Sequence, residues 1–179
     1  PTAPDRRLQP VTDHLVRTVE ELREVIPANE TSALKLGDAL DELARDFIAD
    51  CPFVILSTAG ADGRVDASPK GDDAGFVLVE DERTLVVPDR NGNTLAFSLL
   101  NLLENPQVGL LFVIPGTTET LRVNGKAEIS KDPELLEQLA ARGKPAVLAI
   151  RVQVEEAFFH CSKAFLRSKL WKQETWPPK

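Results

Sequence analysis

Three short stretches of the chain carry side chains able to do chemistry. In DASPKGD, residues 66–72, Ser68 and Lys70 share one face of a strand, together with Asp66, while Val65, Ala67 and Pro69 share the other. A hydroxyl beside an ammonium suits a phosphate, and Gly71 lets the backbone approach a ligand closely. A solvated strand end turning at Gly71-Asp72 has the same composition. In PDRNGN, residues 88–93, Arg90 stands just before a short apolar segment. A helix N-terminus there offers free N–H groups and partial positive charge to an anion, and Arg90 adds a bidentate phosphate donor. An ordinary loop with Asn93 as N-cap fits those residues equally well. The third stretch is HCSKAFLRSKLW, residues 160–171, which crowds together His160, Cys161, Lys163, Arg167, Ser168 and Trp171. Either Phe158, Phe165, Leu170 and Trp171 simply pack on the body, or Lys163, Arg167 and Trp171 cover an aromatic, anionic ligand.

Other chemistries find no footing. Adjacent His160 and Cys161 are badly placed to chelate one ion, and the other His and Cys are far away in sequence, so no metal is expected. A Cys–His nucleophile pair lacks a third, orienting group, and neighbours on a strand point to opposite faces. Neither GxGxxG nor a P-loop occurs. No residue stands out as a catalytic acid or base.

The elements that must position these stretches follow from periodicity. VTDHLVRTVEELREVI spaces Val11, Leu15, Val19, Leu22 and Ile26 as a helix does, with Thr12 or Asp13 as N-cap. ALKLGDALDELARDFIAD predicts a second helix with Leu36, Leu40, Leu43 and Phe47 on one stripe. After Cys51 the texture becomes β: PFVILST, then a hairpin at Asp62-Gly63, then RVDASPK, GFVLV and TLVV. A short helix over 94–104 precedes three longer strands, QVGLLFVI, ETLRVNGKAEIS and AVLAIRVQVE. Between the last two, DPELLEQLAARG reads as a helix with Asp132 as cap, Pro133 in its first turn and Gly143 as its stop. Six or seven strands joined by tight turns pair antiparallel and close into a barrel or sandwich.

Composition narrows the function classes. The 179 residues carry a net charge of −7, which disfavours nonspecific nucleic-acid binding. No apolar run approaches the ~20 residues of a membrane span, and PTAPDRRLQP has no apolar signal region. Cys51 and Cys161 are expected as free thiols of a cytoplasmic protein.

Taken together and in order, STAGADGRVDASPKGDDAGFVLVEDERTLVVPDRNGN, NLLENPQVGLLFVIPGTTETLRVNGKAEI and HCSKAFLRSKLW resemble the pyridoxamine 5′-phosphate oxidase-like FMN-binding proteins. Within these, they are most similar to the bacterial branch with the SPKGD, PDRxGN, NPxVGLLFxxPG and RVNG runs. The resemblance covers about residues 31–172 and leaves 1–30 as an N-terminal arm and helix. It implies a mainly β (α+β), antiparallel split β-barrel over 31–179, with peripheral helices. It further implies a homodimer with FMN at the subunit interface and a small-molecule substrate that is not pyridoxamine phosphate itself. The phosphate-binding strand would then be Ser68, Pro69 and Lys70. The second phosphate-binding turn would be Asp89, Arg90 and Asn93, with Ser57 and Thr58 near the flavin. The tail with Lys163, Arg167 and Trp171 would close over the ring from the partner chain. One departure matters: where relatives carry Arg and Asp, this chain has Thr94-Leu95-Ala96-Phe97. Losing a charged phosphate contact costs about 1.5–3 kcal/mol, so FMN is expected to bind more weakly than in those relatives. An FMN-dependent oxidoreductase is the function implied. A non-catalytic binder of flavin, haem or another anionic aromatic is the alternative, and a pure interaction module is a third.

Overall fold

The computed structural model describes residues 14–29, 36–92 and 94–178. The chain divides into two units, 1–34 and 35–179. In the first, the helix is α1, Val19–Val25. It starts later than the periodicity of 11–26 predicts because Thr18 forms a capping box with Glu21: the Glu21 N–H donates to the Thr18 hydroxyl, and the Thr18 N–H donates to the Glu21 carboxylate. The expected caps, Thr12 and Asp13, lie outside the described residues.

The second unit begins with α2, Glu42–Ala49, capped by the Asp41 carboxylate. This helix is shorter than the one predicted over 33–50. Gly37 is drawn instead into a backbone bridge with Ala157, which extends the chain ahead of the helix. The buried stripe is correspondingly different: Leu40, Ala44 and Ile48 are buried, whereas Leu36 and Leu43 are exposed.

Seven strands follow: β1 Phe53–Ala59, β2 Val65–Gly71, β3 Leu78–Asp81, β4 Thr84–Asp89, β5 Gln107–Val113, β6 Thr120–Ser130 and β7 Leu148–His160. They form one sheet in the order β2-β1-β5-β6-β7-β4-β3, every neighbouring pair antiparallel. Helix α3, Phe97–Glu104, lies between β4 and β5, and α4, Pro133–Gln138, between β6 and β7. The tail forms α5, Lys163–Ser168, and a 3₁₀ turn, Gln173–Thr175.

The longest seam is β6 against β7, where β7 runs on through Glu156–His160, beyond the AVLAIRVQVE segment predicted as strand. A bulge at Asn124/Gly125 bends this pair. A Cβ at Gly125 would lie 2.1 Å from the Gln153 carbonyl oxygen, so only glycine fits there. The inner faces of β1, β4, β5, β6 and β7 pack with Leu40, Ala44 and Ile48 and with Leu102 of α3 into one core. Phe112, Leu110, Leu121 and Ile150 are among its completely buried side chains, each stabilising by about 1.5–3 kcal/mol relative to exposure. Strand β4 reads as an uninterrupted apolar run because both its faces are covered. Leu85 and Val87 face the main core, while Val86 joins Leu139, Ala146 and Ala149 in a second cluster packed by α4.

Among the described residues no backbone ladder joins β2 to β3 or β4, although β2 and β4 meet through side chains. The sheet therefore curls into a barrel that is closed by ladders along most of its circumference and split between β2 and β4. The mainly β, antiparallel split barrel expected from the sequence is the architecture observed. No helix among the described residues is long and apolar enough to cross a membrane.

Candidate ligand-binding groove

The split is where polar side chains gather. Edge strand β2 pairs only with β1, which lets Pro69 sit in it without breaking an inner ladder. Its alternation is the reverse of an ordinary amphipathic strand. Asp66, Ser68 and Lys70 are half-buried, while Val65, Ala67 and Pro69 are exposed. The polar face thus looks inward, across the gap to the end of β4.

Lys70 donates to the Asp89 carboxylate at 2.5 Å, which ties the end of β2 to the end of β4. One residue on, Arg90 donates from Nε to Asp72 at 3.0 Å and from a terminal nitrogen to the Leu139 carbonyl at 2.8 Å. Arg142 approaches the other oxygen of Asp72 at 3.8 Å. Lys70 and Arg90 are therefore held by carboxylates of their own chain and need no ligand to bring them together.

These contacts border a groove of about 670 Å³, within the range of small-molecule sites. Its walls are β2 from Asp66 to Gly71, the end of β4 with Arg90 to Gly92, and the start of α3 from Thr94 to Leu99. The helix start is unusual. The expected helix over 94–104 begins at Phe97, with Ala96 as N-cap in the left-handed region (φ 53°) and no side-chain cap. Thr94 is left-handed as well (φ 60°). Two non-glycine residues in this region cost about 1–2 kcal/mol each, and such strain persists mostly where a backbone is shaped for a ligand. Phe97, Ser98 and Leu99 of the first turn of α3 line the groove, the N-cap Ala96 makes no side-chain hydrogen bond, and Ser98 donates its hydroxyl to Asp66 at 2.5 Å.

Five residues singled out in the sequence, Ser68, Pro69, Lys70, Asp89 and Arg90, line this one groove together. Asn93 lies outside the described residues. Ser57 and Thr58 do not line it: Thr58 is buried beneath α3, accepting from Asn101 at 3.0 Å, and Ser57 is exposed on the opposite face of β1. Lys163, Arg167 and Trp171 do not line it either. Trp171 stacks on Phe165 at 5.9 Å and donates its indole N–H to the Thr117 carbonyl at 2.6 Å, fastening the tail to the β5–β6 turn. Asp66, Asp72 and Ser98 escaped the sequence reading as site residues. Asp66 had a signal, since it shares the alternation of Ser68 and Lys70. Asp72 and Ser98 had none, because their partners are 18 and 32 positions away.

Solved structures and one family model match this chain. The solved structures similar to it include a candidate pyridoxamine 5′-phosphate oxidase from Lactobacillus delbrueckii, at 25% identity and TM-score 0.52, covering 68% of this chain and 95% of that one. HupZ of Group A Streptococcus matches at 20% identity and TM-score 0.55, over 66% of this chain and 92% of that one. An FMN-binding protein from Syntrophomonas wolfei matches at 11% identity and TM-score 0.50, over 79% and 93%. No curated protein matches the sequence. The family model described as pyridoxamine 5′-phosphate oxidase matches residues 40–161, from the buried Leu40 ahead of α2 to the end of β7. With well over half of its length inside that match and the same split barrel around its groove, this chain belongs to the pyridoxamine 5′-phosphate oxidase family.

Proposed function

We propose that the groove holds FMN and that the protein is an FMN-dependent oxidoreductase acting on a small molecule. The observation carrying this reading is the convergence of Ser68, Lys70 and the uncapped first turn of α3 on one cavity in a chain of this family. Those groups fit a phosphate: a hydroxyl and backbone N–H groups donate to it, and the helix end favours its charge. The bound flavin supplies the redox chemistry, and the protein supplies binding, orientation and exclusion of water.

Each part of the chain has a task in this reading. Ser68 and the α3 amides hold the phosphate, and Lys70 swings part of its charge from Asp89 towards it. Asp66, fixed by Ser98, accepts a hydroxyl of the ribityl chain. Thr94 and Ala96 shape the wall of the groove. Phe97, Leu100 and Leu103 are exposed on α3 and provide apolar surface for a second copy of the chain. In this reading that copy contributes Lys163, Arg167 and Trp171 to the groove, as the family resemblance implies; within one chain they lie outside it.

Titration of the purified protein with FMN tests the reading. Quenching of flavin fluorescence with 1:1 stoichiometry per chain is expected, and Lys70→Ala weakens binding about ten- to a hundredfold. Bleaching by NADH or NADPH and recovery in air identify an oxidoreductase. A flavin that binds but is reduced only by dithionite identifies a binding protein, and no quenching at all ends both versions.

A further inference from the structure

The chain contains two Asn-Gly pairs, Asn91-Gly92 and Asn124-Gly125. Such pairs are open to cyclisation, because a glycine without Cβ lets its backbone nitrogen reach the preceding side-chain amide. The two pairs lie in opposite surroundings. Asn124-Gly125 is locked inside β6, with Asn124 opposite Glu156 and Gly125 opposite Val154 of β7. Asn124 donates its side-chain N–H to Glu156 at 2.6 Å, and Gly125 is buried against the Gln153 carbonyl. Cyclisation there breaks that hydrogen bond and bends the ladder.

Asn91-Gly92 has no such restraint. Both residues are exposed, and both lie outside helix and strand. Neither has a hydrogen-bond partner among the described residues. The backbone does not require glycine at 92 either. Gly92 is not left-handed, and an added Cβ would meet only the Arg90 carbonyl oxygen, at 3.9 Å. The pair lines the groove, beside Arg90 and the end of β4.

We propose that Asn91-Gly92 is a self-modification site, at which deamidation places a new carboxylate in the groove. The Gly92 nitrogen loses its proton and attacks Cγ of Asn91. A C–N bond forms, the Cγ–Nδ2 bond breaks, and ammonia leaves with a proton, giving a succinimide. Water then opens the ring. Cleavage at Cγ gives aspartate, and cleavage at the main-chain carbonyl gives isoaspartate, which routes the backbone through the side-chain carbon. One water is consumed and no electrons are transferred. The groove-lining charges, Lys70 and Arg90 against Asp66 and Asp89, balance before the reaction and are negative after it. An anion in the groove then meets one more like charge and binds less tightly. Naming that anion as the FMN phosphate rests on the function proposed above; the modification itself rests on the exposed, unrestrained pair.

Ageing the full chain in warm, mildly alkaline buffer tests the chemistry, with peptide mapping by mass spectrometry as the readout. Aspartate and isoaspartate are expected at 91 while Asn124 stays intact, and Gly92→Ala slows conversion several-fold with an unchanged melting temperature. Equal rates at 91 and 124, or a Gly92→Ala chain that converts as fast as wild type, overturn the proposal. Titration with FMN tests the consequence on Asn91→Asp, which carries the product's charge on an ordinary backbone. A loss of about tenfold in affinity is expected. An Asn91→Asp chain that binds FMN as tightly as a wild type that does bind it overturns the effect on the groove. A wild-type chain that converts at 91 yet takes no FMN sinks the flavin reading and leaves the modification site standing.

Discussion

The two flanks of the barrel are built by different physics. From β1 through β5, β6 and β7 to β4, strands are joined by continuous backbone ladders and backed by a close-packed apolar core. Between β2 and β4 there is no ladder, and half-buried ion pairs, Lys70–Asp89 and Arg90–Asp72, span the gap. Ladders are short-range, register-locked and indifferent to solutes. Ion pairs across a solvent-reaching gap are weaker, since desolvation offsets much of their attraction, and a competing anion can take a share of either cation. Stability is therefore concentrated on the laddered flank, and the proposed ligand response on the split one.

Substitutions on each flank break or sharpen that division. The largest effect is expected from Phe112→Ala, which opens a cavity in the laddered core where the ring is wholly buried. It should lower unfolding free energy by about 3–5 kcal/mol in urea, with flavin affinity of the folded protein unchanged. Loss of flavin affinity in still-folded Phe112→Ala would dissolve the division. On the split flank, Lys70→Ala leaves Asp89 unpaired with its side chain 15% exposed, and should cost about 1–3 kcal/mol. Lys70→Met/Asp89→Leu should return most of that stability, because an apolar pair replaces a half-buried ion pair at little cost, yet should still bind FMN poorly. A double variant that recovers both properties would mean that Lys70 acts only as a fastener.

The smallest effect is expected from the ion pair that ties the segment before α2 to the β3–β4 turn. Arg83 donates to Asp38 at 2.8 Å, and both are exposed. That hydrogen bond, and then the charge of Arg83, hold the Asp38 carboxyl below its ordinary 3.8. A carboxyl lowered in the folded state stabilises above its unfolded value, and the contribution fades as pH falls through the folded one. Asp38→Asn should therefore lower the melting temperature slightly at pH 7. The difference from wild type should vanish as the pH drops below 3.8. A difference that persists in acid would assign the effect to packing rather than charge.

The same division explains what the amino-acid order reveals. The laddered flank is legible because each strand announces itself locally: Val54 and Leu56 alternate into the core, and Leu85, Val86 and Val87 run apolar without alternation because α4 covers the far side. Helix starts are legible where the cap is plain, as with Asp132 and Pro133, are missed at the Thr18–Glu21 pair, and are illegible where a distant contact decides, as with Gly37 and Ala157. On the split flank, alternation exposes Asp66, Ser68 and Lys70 as one face. Their inward orientation is fixed by what lies across the gap, which the sequence of β2 alone does not contain. Arg142 and Lys144 sit in a turn that looks like any solvated loop. They border a cavity only because Asp72 and Arg90 fold against it.

The fastening of the tail gives the molecule a built-in optical probe. The chain has two tryptophans and no tyrosine, and both indoles are tied down in one corner, Trp171 to the Thr117 carbonyl and Trp176 to the Leu170 carbonyl. Ultraviolet emission from the native protein thus originates from that corner alone. Dimming of this light when a yellow chromophore is added measures how near the corner comes to a chromophore-filled groove, and its dependence on protein concentration reveals whether the two belong to one chain or to neighbouring copies.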